Sequence, residues 1–303
     1  MLATHEVPLA LMKKNSSNET LEEKINGKLF YALVHLFDET EYYEYVIEAL
    51  KKGRQVILDN SAYELHGKPF DTEDFVERIN SLAESTSYEI VDKQLTYIIP
   101  DVFDEATKTR ALTQYFLDHY YDSTPGKAMA VCQGNTFEEL TYLFAWYSLQ
   151  PEITKIGVNF MSKAYTHFCS SLYINEDKTK NINDWAKRMI GRRAFIEHLY
   201  HLGWLGLKPI HLLGAALPGE FVYYTEEHPI LASYIETLDT SAPIICGMFG
   251  EYFDVSKALT GIKRPEKLAE HLKDPLSPNQ IDGIIKNVEA FRVYNKINFS
   301  RLY

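Results

Sequence analysis

The chain has 303 residues, 46% of them hydrophobic and 24% charged, with 21 Tyr and 16 Phe, which is enough apolar material for one large core or two small ones. Its net charge of -11 argues against tight, non-specific binding to nucleic acid, which depends on neutralising phosphates with Lys and Arg. The apolar runs fall short of the roughly 18 residues of a membrane helix, and no basic region followed by an apolar segment opens the chain, so a soluble, cytoplasmic protein is expected, in the host cell's cytoplasm if the chain is viral.

From the N-terminus, a short apolar piece, Val7–Met12, is a weak first strand, and Lys13–Lys28 reads as a polar loop. Leu29–Leu36 reads as a strand, and Glu39–Lys52 as a helix stopped by Gly53. Gln55–Leu58 is the next strand, followed by a helix over Thr72–Ala83. Leu95–Ile99 is β-rich, breaks at Pro100-Asp101, and leads into helical sequence from Asp104 to about His119. Lys127–Cys132 is a strand ending in Gln133-Gly134, and Thr136 with Glu139 forms a capping box for the following helix. Ile153–Val158 is a strand, Trp185–Leu202 a helix, Pro209–Leu213 a strand, and the sequence to about Tyr234 is helical. Ile235–Leu238 is the last strand, and helices near 265–273 and 279–292 complete the tail.

Eight strands alternating with helices, without a linker, predict an α/β fold, a (β/α)8 TIM barrel in a single domain spanning 1–303. The barrel would occupy about 1–245 and C-terminal helices about 250–303; a doubly wound open sheet is the alternative. Active sites of such barrels lie at the C-terminal ends of the strands. The residues just past the apolar runs are therefore the ones to read: Asp59, Asp101, Gln133, Gly157, Gly214 and Asp239.

Other chemistries fit less well. There is no GxGxxG after a strand, no phosphate-cradling glycine spacing at Pro125-Gly126-Lys127, and no G-x-S-x-G elbow. Glu197, His198 and His201 do not have the H-E-x-x-H order of a zinc protease helix. Cys132, Cys169 and Cys246 have neither a disulfide nor a zinc spacing, so no metal and no cofactor is expected. Carboxylate chemistry remains.

In order along the chain, Asp59-Asn60-Ser61-Ala62-Tyr63, Ile98-Ile99-Pro100-Asp101, Val131-Cys132-Gln133-Gly134, Ile156-Gly157-Val158, Leu212-Leu213-Gly214 and Glu236-Thr237-Leu238-Asp239-Thr240 stand at strand ends. This ordered set, from about residue 55 to 245, resembles the tRNA-guanine transglycosylase superfamily. It is closest to the short DNA 7-deazaguanine transglycosylases of bacterial and viral DNA-modification systems. The family's glycine-rich Asp-Ser-Gly-Gly-Phe turn is matched with two glycines replaced by larger residues.

The resemblance implies a pentosyltransferase in which Asp239 is the nucleophile and Asp59 the acid/base. Asp101 and Gln133 would read the base edge, Gly157 and Gly214 would offer backbone polar groups at close approach, and Tyr63 and Leu213 would sandwich the ring. Its partners would be DNA, at guanine sites, and a free 7-deazaguanine base such as the 7-cyano form. The cysteine cluster that holds zinc in the tRNA enzymes is missing and the tail after Asp239 is short, which favours DNA over tRNA as the acceptor. A tRNA-acting enzyme, a hydrolytic N-glycosidase and a non-catalytic nucleic-acid-binding subunit are the alternatives. Lys187, Arg188, Arg192 and Arg193 form a basic segment that could contact the nucleic-acid backbone, and the acidic net charge leaves either a narrow local groove or an accessory protein that delivers the polynucleotide.

Overall fold

Eight parallel strands form one sheet: β1 (Leu2–Thr4), β2 (Leu29–Leu33), β3 (Gln55–Asp59), β4 (Leu95–Ile98), β5 (Lys127–Cys132), β6 (Ile153–Val158), β7 (Ile210–Leu212) and β8 (Ile235–Asp239). The computed structural model describes residues 2–13, 20–62, 70–172, 183–215, 217–252, 271 and 273–294. Hydrogen bonding runs in the order β1-β8-β7-β6-β5-β4-β3-β2. The two ends of that order meet, with Thr4 Oγ1 donating to the Leu29 carbonyl at 3.4 Å, so the sheet is a nearly closed (β/α)8 barrel.

The strands are continuous apolar runs because helices cover one face and the barrel interior the other. All five residues of β2 are buried, as are all of β5 except Lys127. On the outer face, Tyr97 of β4 meets the ring edges of Phe75 and Phe116, which project from helices Thr72–Ser85 and Ala106–His119. Polar side chains close the helix starts: Asp71, Ser87 and Asn183 each accept from the backbone N–H three residues on, and Thr136 forms its capping box with Glu139. Gly53 ends helix Thr40–Lys51 with φ of 80°.

The N-terminal reading needs correction. The first strand is Leu2–Thr4, and the Val7–Met12 piece contributes a short helix, Leu9–Met12. The segment read as a loop contains a helix, Leu21–Asn26, opened by a second capping box between Thr20 and Glu23. Its Glu22 is buried against Arg54, which it binds at 2.6 and 2.8 Å, and Tyr45 also donates to Glu22. Helices Tyr88–Gln94, Lys163–Leu172 and Ala242–Met248 were not foreseen either. The 279–292 helix is found as Pro278–Tyr294, close enough to helix Ala242–Met248 that a Cβ on Gly247 would lie 2.5 Å from Ile284. Most of the 265–273 helix lies outside the described residues. Among the described residues, no helix is long and apolar enough to cross a membrane.

Candidate active site

Asp59 and Asp239 are the last residues of β3 and β8, and in an all-parallel barrel that brings both to the same, C-terminal end. Asp239 is buried, and two groups reach the same oxygen: His211 Nε2 and the Gly214 N–H, each 3.1 Å from Oδ1. His211 is fully buried in the middle of β7, where burial first of all lowers its pKa and keeps the ring neutral. Its Nδ1 lies 2.8 Å from Thr237 Oγ1, and Lys155 Nζ reaches the same hydroxyl at 3.4 Å while pairing with Glu236 at 3.2 Å.

Asp59 is held differently, through both of its oxygens. Tyr31 O–H of β2 donates to Oδ2 and the Ser61 N–H to Oδ1. Both contacts set a donor against the carboxylate. Burial, then the nearby Asp59 and Asp239 charges, pushes the Tyr31 phenol well above its ordinary pKa, so it stays a donor. The Tyr31 ring is near parallel to that of His211, at 6.1 Å between centroids, and so joins the two carboxylate sites. Ser61 has φ of 61°, the left-handed value for which a glycine is the easy residue, and its hydroxyl is held by His35 at 2.7 Å.

Asp101, Gln133, Asn60 and Asn159 form a buried amide–carboxylate network. Asn60 donates to Asp101 Oδ1 at 2.7 Å and to the Ile99 carbonyl at 2.9 Å, and Gln133 donates to Asp101 Oδ2. Gln133 Oε1 accepts from Asn159 at 2.8 Å and from the Asp104 N–H at 3.3 Å. Burial raises the pKa of Asp101, against the Asn60 and Gln133 hydrogen bonds, which lower it. A carboxylate oxygen can accept more than one hydrogen bond and a primary amide can donate two.

Gly157 of β6 lies under Leu213, and a Cβ there would sit 2.7 Å from Leu213 Cδ1 and 2.9 Å from Val131 Cγ2. Glycine at this position lets Leu213 approach the barrel wall. Gly214, with φ of 65°, turns its N–H onto Asp239. Tyr63 lies outside the described residues.

The basic segment is not a free cationic surface. Arg192 is fully buried in helix Asp184–His201, where it makes a two-pronged pair with Glu220 at 2.7 and 2.6 Å and donates to the Leu213 and Val158 carbonyls at 2.6 and 3.2 Å. A charge enclosed in this way ties the helix to the ends of β6 and β7 and cannot reach a phosphate. Arg193 lies over the Tyr223 ring at 3.6 Å and pairs with Glu227 at 3.5 Å; Lys187 pairs with Asp184 at 3.4 Å, and Arg188 donates to the Met161 carbonyl. Glu220, in the short helix Pro218–Val222, is that buried counter-charge.

Tyr31, His211, Asn60 and Asn159 are site residues that the strand-end reading missed. Two of them leave a trace in the sequence: Asn60 and Asn159 each come one residue after a strand end. His211 and Tyr31 sit inside apolar runs, and His211 is marked only by alternation, with Ile210 and Leu212 turned the other way. No protein-family model and no curated protein sequence matches the chain.

Proposed function

We propose that the protein is a base-exchange transglycosylase that replaces guanine in DNA with a 7-deazaguanine base through a covalent ester on Asp239. The observation that carries the reading is the pair of strand-end carboxylates, Asp59 and Asp239, at one end of the barrel and joined through Tyr31 and His211. Their hydrogen bonding differs as two roles would require. Among the described residues the two donors on Asp239 both reach Oδ1, so Oδ2 is the oxygen assigned to attack, whereas Asp59 is held on both oxygens.

In the first half-reaction, Asp239 Oδ2 forms a bond to C1′ as the bond from C1′ to N9 breaks. The bonding pair goes to guanine, which departs with a proton from Asp59. In the second, N9 of the incoming base attacks C1′, its proton passes to the Asp59 carboxylate, and the Asp239 ester is released. The proton lent at the first step returns at the second, so the exchange needs no external acid. The Tyr31 and Ser61 donors stabilise the ionised Asp59 that receives it. The Asp101 and Gln133 network offers acceptors and a donor to the base edge.

The test is incubation with single-stranded DNA, duplex DNA or tRNA carrying labelled guanine, with a 7-deazaguanine base, followed by nucleoside mass analysis. Labelled guanine release and base incorporation into DNA are expected, and both should vanish in Asp239→Ala. Full exchange by that variant would overturn the nucleophile, incorporation confined to tRNA would overturn the acceptor, and guanine release without incorporation would make the enzyme a hydrolase.

A further inference from the structure

The hydrogen-bonded line running from half-buried Lys155 through Thr237 and His211 to Asp239 has a direction. Lys155 is a donor only, so at 3.4 Å from Thr237 Oγ1 it must donate, and the threonine hydroxyl accepts. The hydroxyl hydrogen is then free to point to His211 Nδ1, 2.8 Å away. A neutral imidazole that accepts at Nδ1 carries its proton on Nε2, and Nε2 lies 3.1 Å from Asp239 Oδ1. A carboxylate only accepts, so every member of the line is satisfied with the hydrogens in one arrangement.

The charged and ring neighbours fit this tautomer. The Tyr31 ring lies nearly parallel to His211, 11° between planes, and its O–H is turned to Asp59, which leaves the imidazole edge to Thr237 and Asp239. The cations Lys155 and Arg192 oppose protonation of the ring, while Asp239 favours it; burial is the larger influence and keeps it neutral. Gly214 N–H is the second donor on Oδ1.

We propose that His211 is a positioning residue for Asp239: fixed as the Nε2–H tautomer by Thr237 and Lys155, it clamps Oδ1 together with the Gly214 N–H, so that Oδ2 is the oxygen that attacks. This rests on the reading of Asp239 as the nucleophile. Holding one oxygen by two donors stops the carboxylate rotating about its own axis, and a reacting atom held in line is a large part of a displacement's rate. His211 touches neither the sugar nor the base in this role. Its effect falls on the chemical step rather than on affinity.

The experiment compares the wild type with His211→Phe, His211→Gln, Thr237→Val and Asp239→Ala. Steady-state exchange is measured together with urea unfolding, and ¹⁵N shifts are recorded on histidine-labelled protein at neutral pH. The wild type should show His211 as the Nε2–H tautomer, and Thr237→Val combined with Asp239→Ala, which removes the partners of both ring nitrogens, should convert it to a mixture. His211→Phe should lower kcat roughly 10- to 100-fold with KM for the polynucleotide little changed, the scale on which an orienting partner is felt. Glutamine places an N–H near the Nε2 position, so His211→Gln should recover most of the loss, which a role in packing alone would not require.

An Nδ1–H tautomer in the wild type, or a tautomer indifferent to the loss of both Thr237 and Asp239, overturns the proposal whether or not the protein turns over. Wild-type kcat in folded His211→Phe, with Asp239→Ala inactive, overturns the positioning role and leaves the nucleophile standing. Full activity in Asp239→Ala overturns the functional reading instead, and the tautomer then decides the hydrogen-bonded line by itself.

Discussion

Tyr31 shows what one side chain contributes at this site. Its phenol, held protonated by burial and two nearby carboxylates, donates to Asp59 Oδ2 while its ring covers His211. A hydrogen bond to an ionised group contributes roughly 1.5–3 kcal/mol in general. Tyr31→Phe keeps the ring and removes that donor, so the Asp59 carboxylate is less stabilised and binds its proton more tightly. The alkaline limb of the pH–rate profile of exchange, where Asp59 loses the proton it lends, should move to higher pH, with kcat falling several-fold; an unmoved limb in an active variant would dissociate Tyr31 from the proton-carrying group. Gly157 acts by absence, since any Cβ would lie 2.7 Å from Leu213 Cδ1 and push that side chain off the barrel wall.

At the scale of an element, helix Asp184–His201 is fastened at two adjacent positions. Gly191 lets it lie against helix Lys163–Leu172, because a Cβ there would be 2.5 Å from the backbone of Tyr165. Arg192, next along, carries its charge inward to Glu220 and to the carbonyls that end β6 and β7. Removing one partner of a buried pair strands the other, typically at about 3–5 kcal/mol, while replacing both with apolar residues of similar size is often neutral. Arg192→Ala and Glu220→Ala should each lower unfolding stability by that order in urea titrations, and Arg192→Met with Glu220→Leu should regain most of it. If instead Arg192→Ala unfolds like the wild type, the pair is not what holds this helix.

For the whole molecule, two buried histidines contribute to the response to acid. Burial, with help from Arg292, lowers His5 to about 3, and burial lowers His211 below its ordinary value as well. Below about pH 6.5 the unfolded chain takes up protons at both positions while the folded one does not. Stability is therefore unaffected by these groups above that pH and is lost as pH falls toward the folded values, by about 1.4 kcal/mol per pH unit for His5 between those limits. His5→Asn leaves an amide that can donate to the Thr240 carbonyl, as the His5 ring does at 2.9 Å. The variant should show a shallower acid limb in urea midpoints between about pH 6 and 4; an identical slope would mean that His5 is protonated in the folded state. Arg192, Arg193 and Lys187 of helix Asp184–His201 are each paired with an acid, so in a chain of net charge -11 this helix is not a cationic face.

The alternation of apolar runs with helical periods determined the barrel, because which residues face water along a strand or helix repeats locally. The same local rule located Asp59, Asp101, Gln133 and Asp239, since a polar residue directly after a buried run marks where a strand emerges. It could not distinguish Leu2–Thr4 from Val7–Met12 as the first strand, as both are short and the choice was made by pairing with β8. Nor could it separate a cation that faces solvent from one that is enclosed: Arg192 and Arg193 are adjacent in sequence, and Glu220, 28 residues on, takes the first of them inward. His211 is the same case inside a strand. Its meaning comes from Thr237 and Asp239 on the neighbouring strand and from Tyr31 across the barrel, distances that exist only after the sheet has closed.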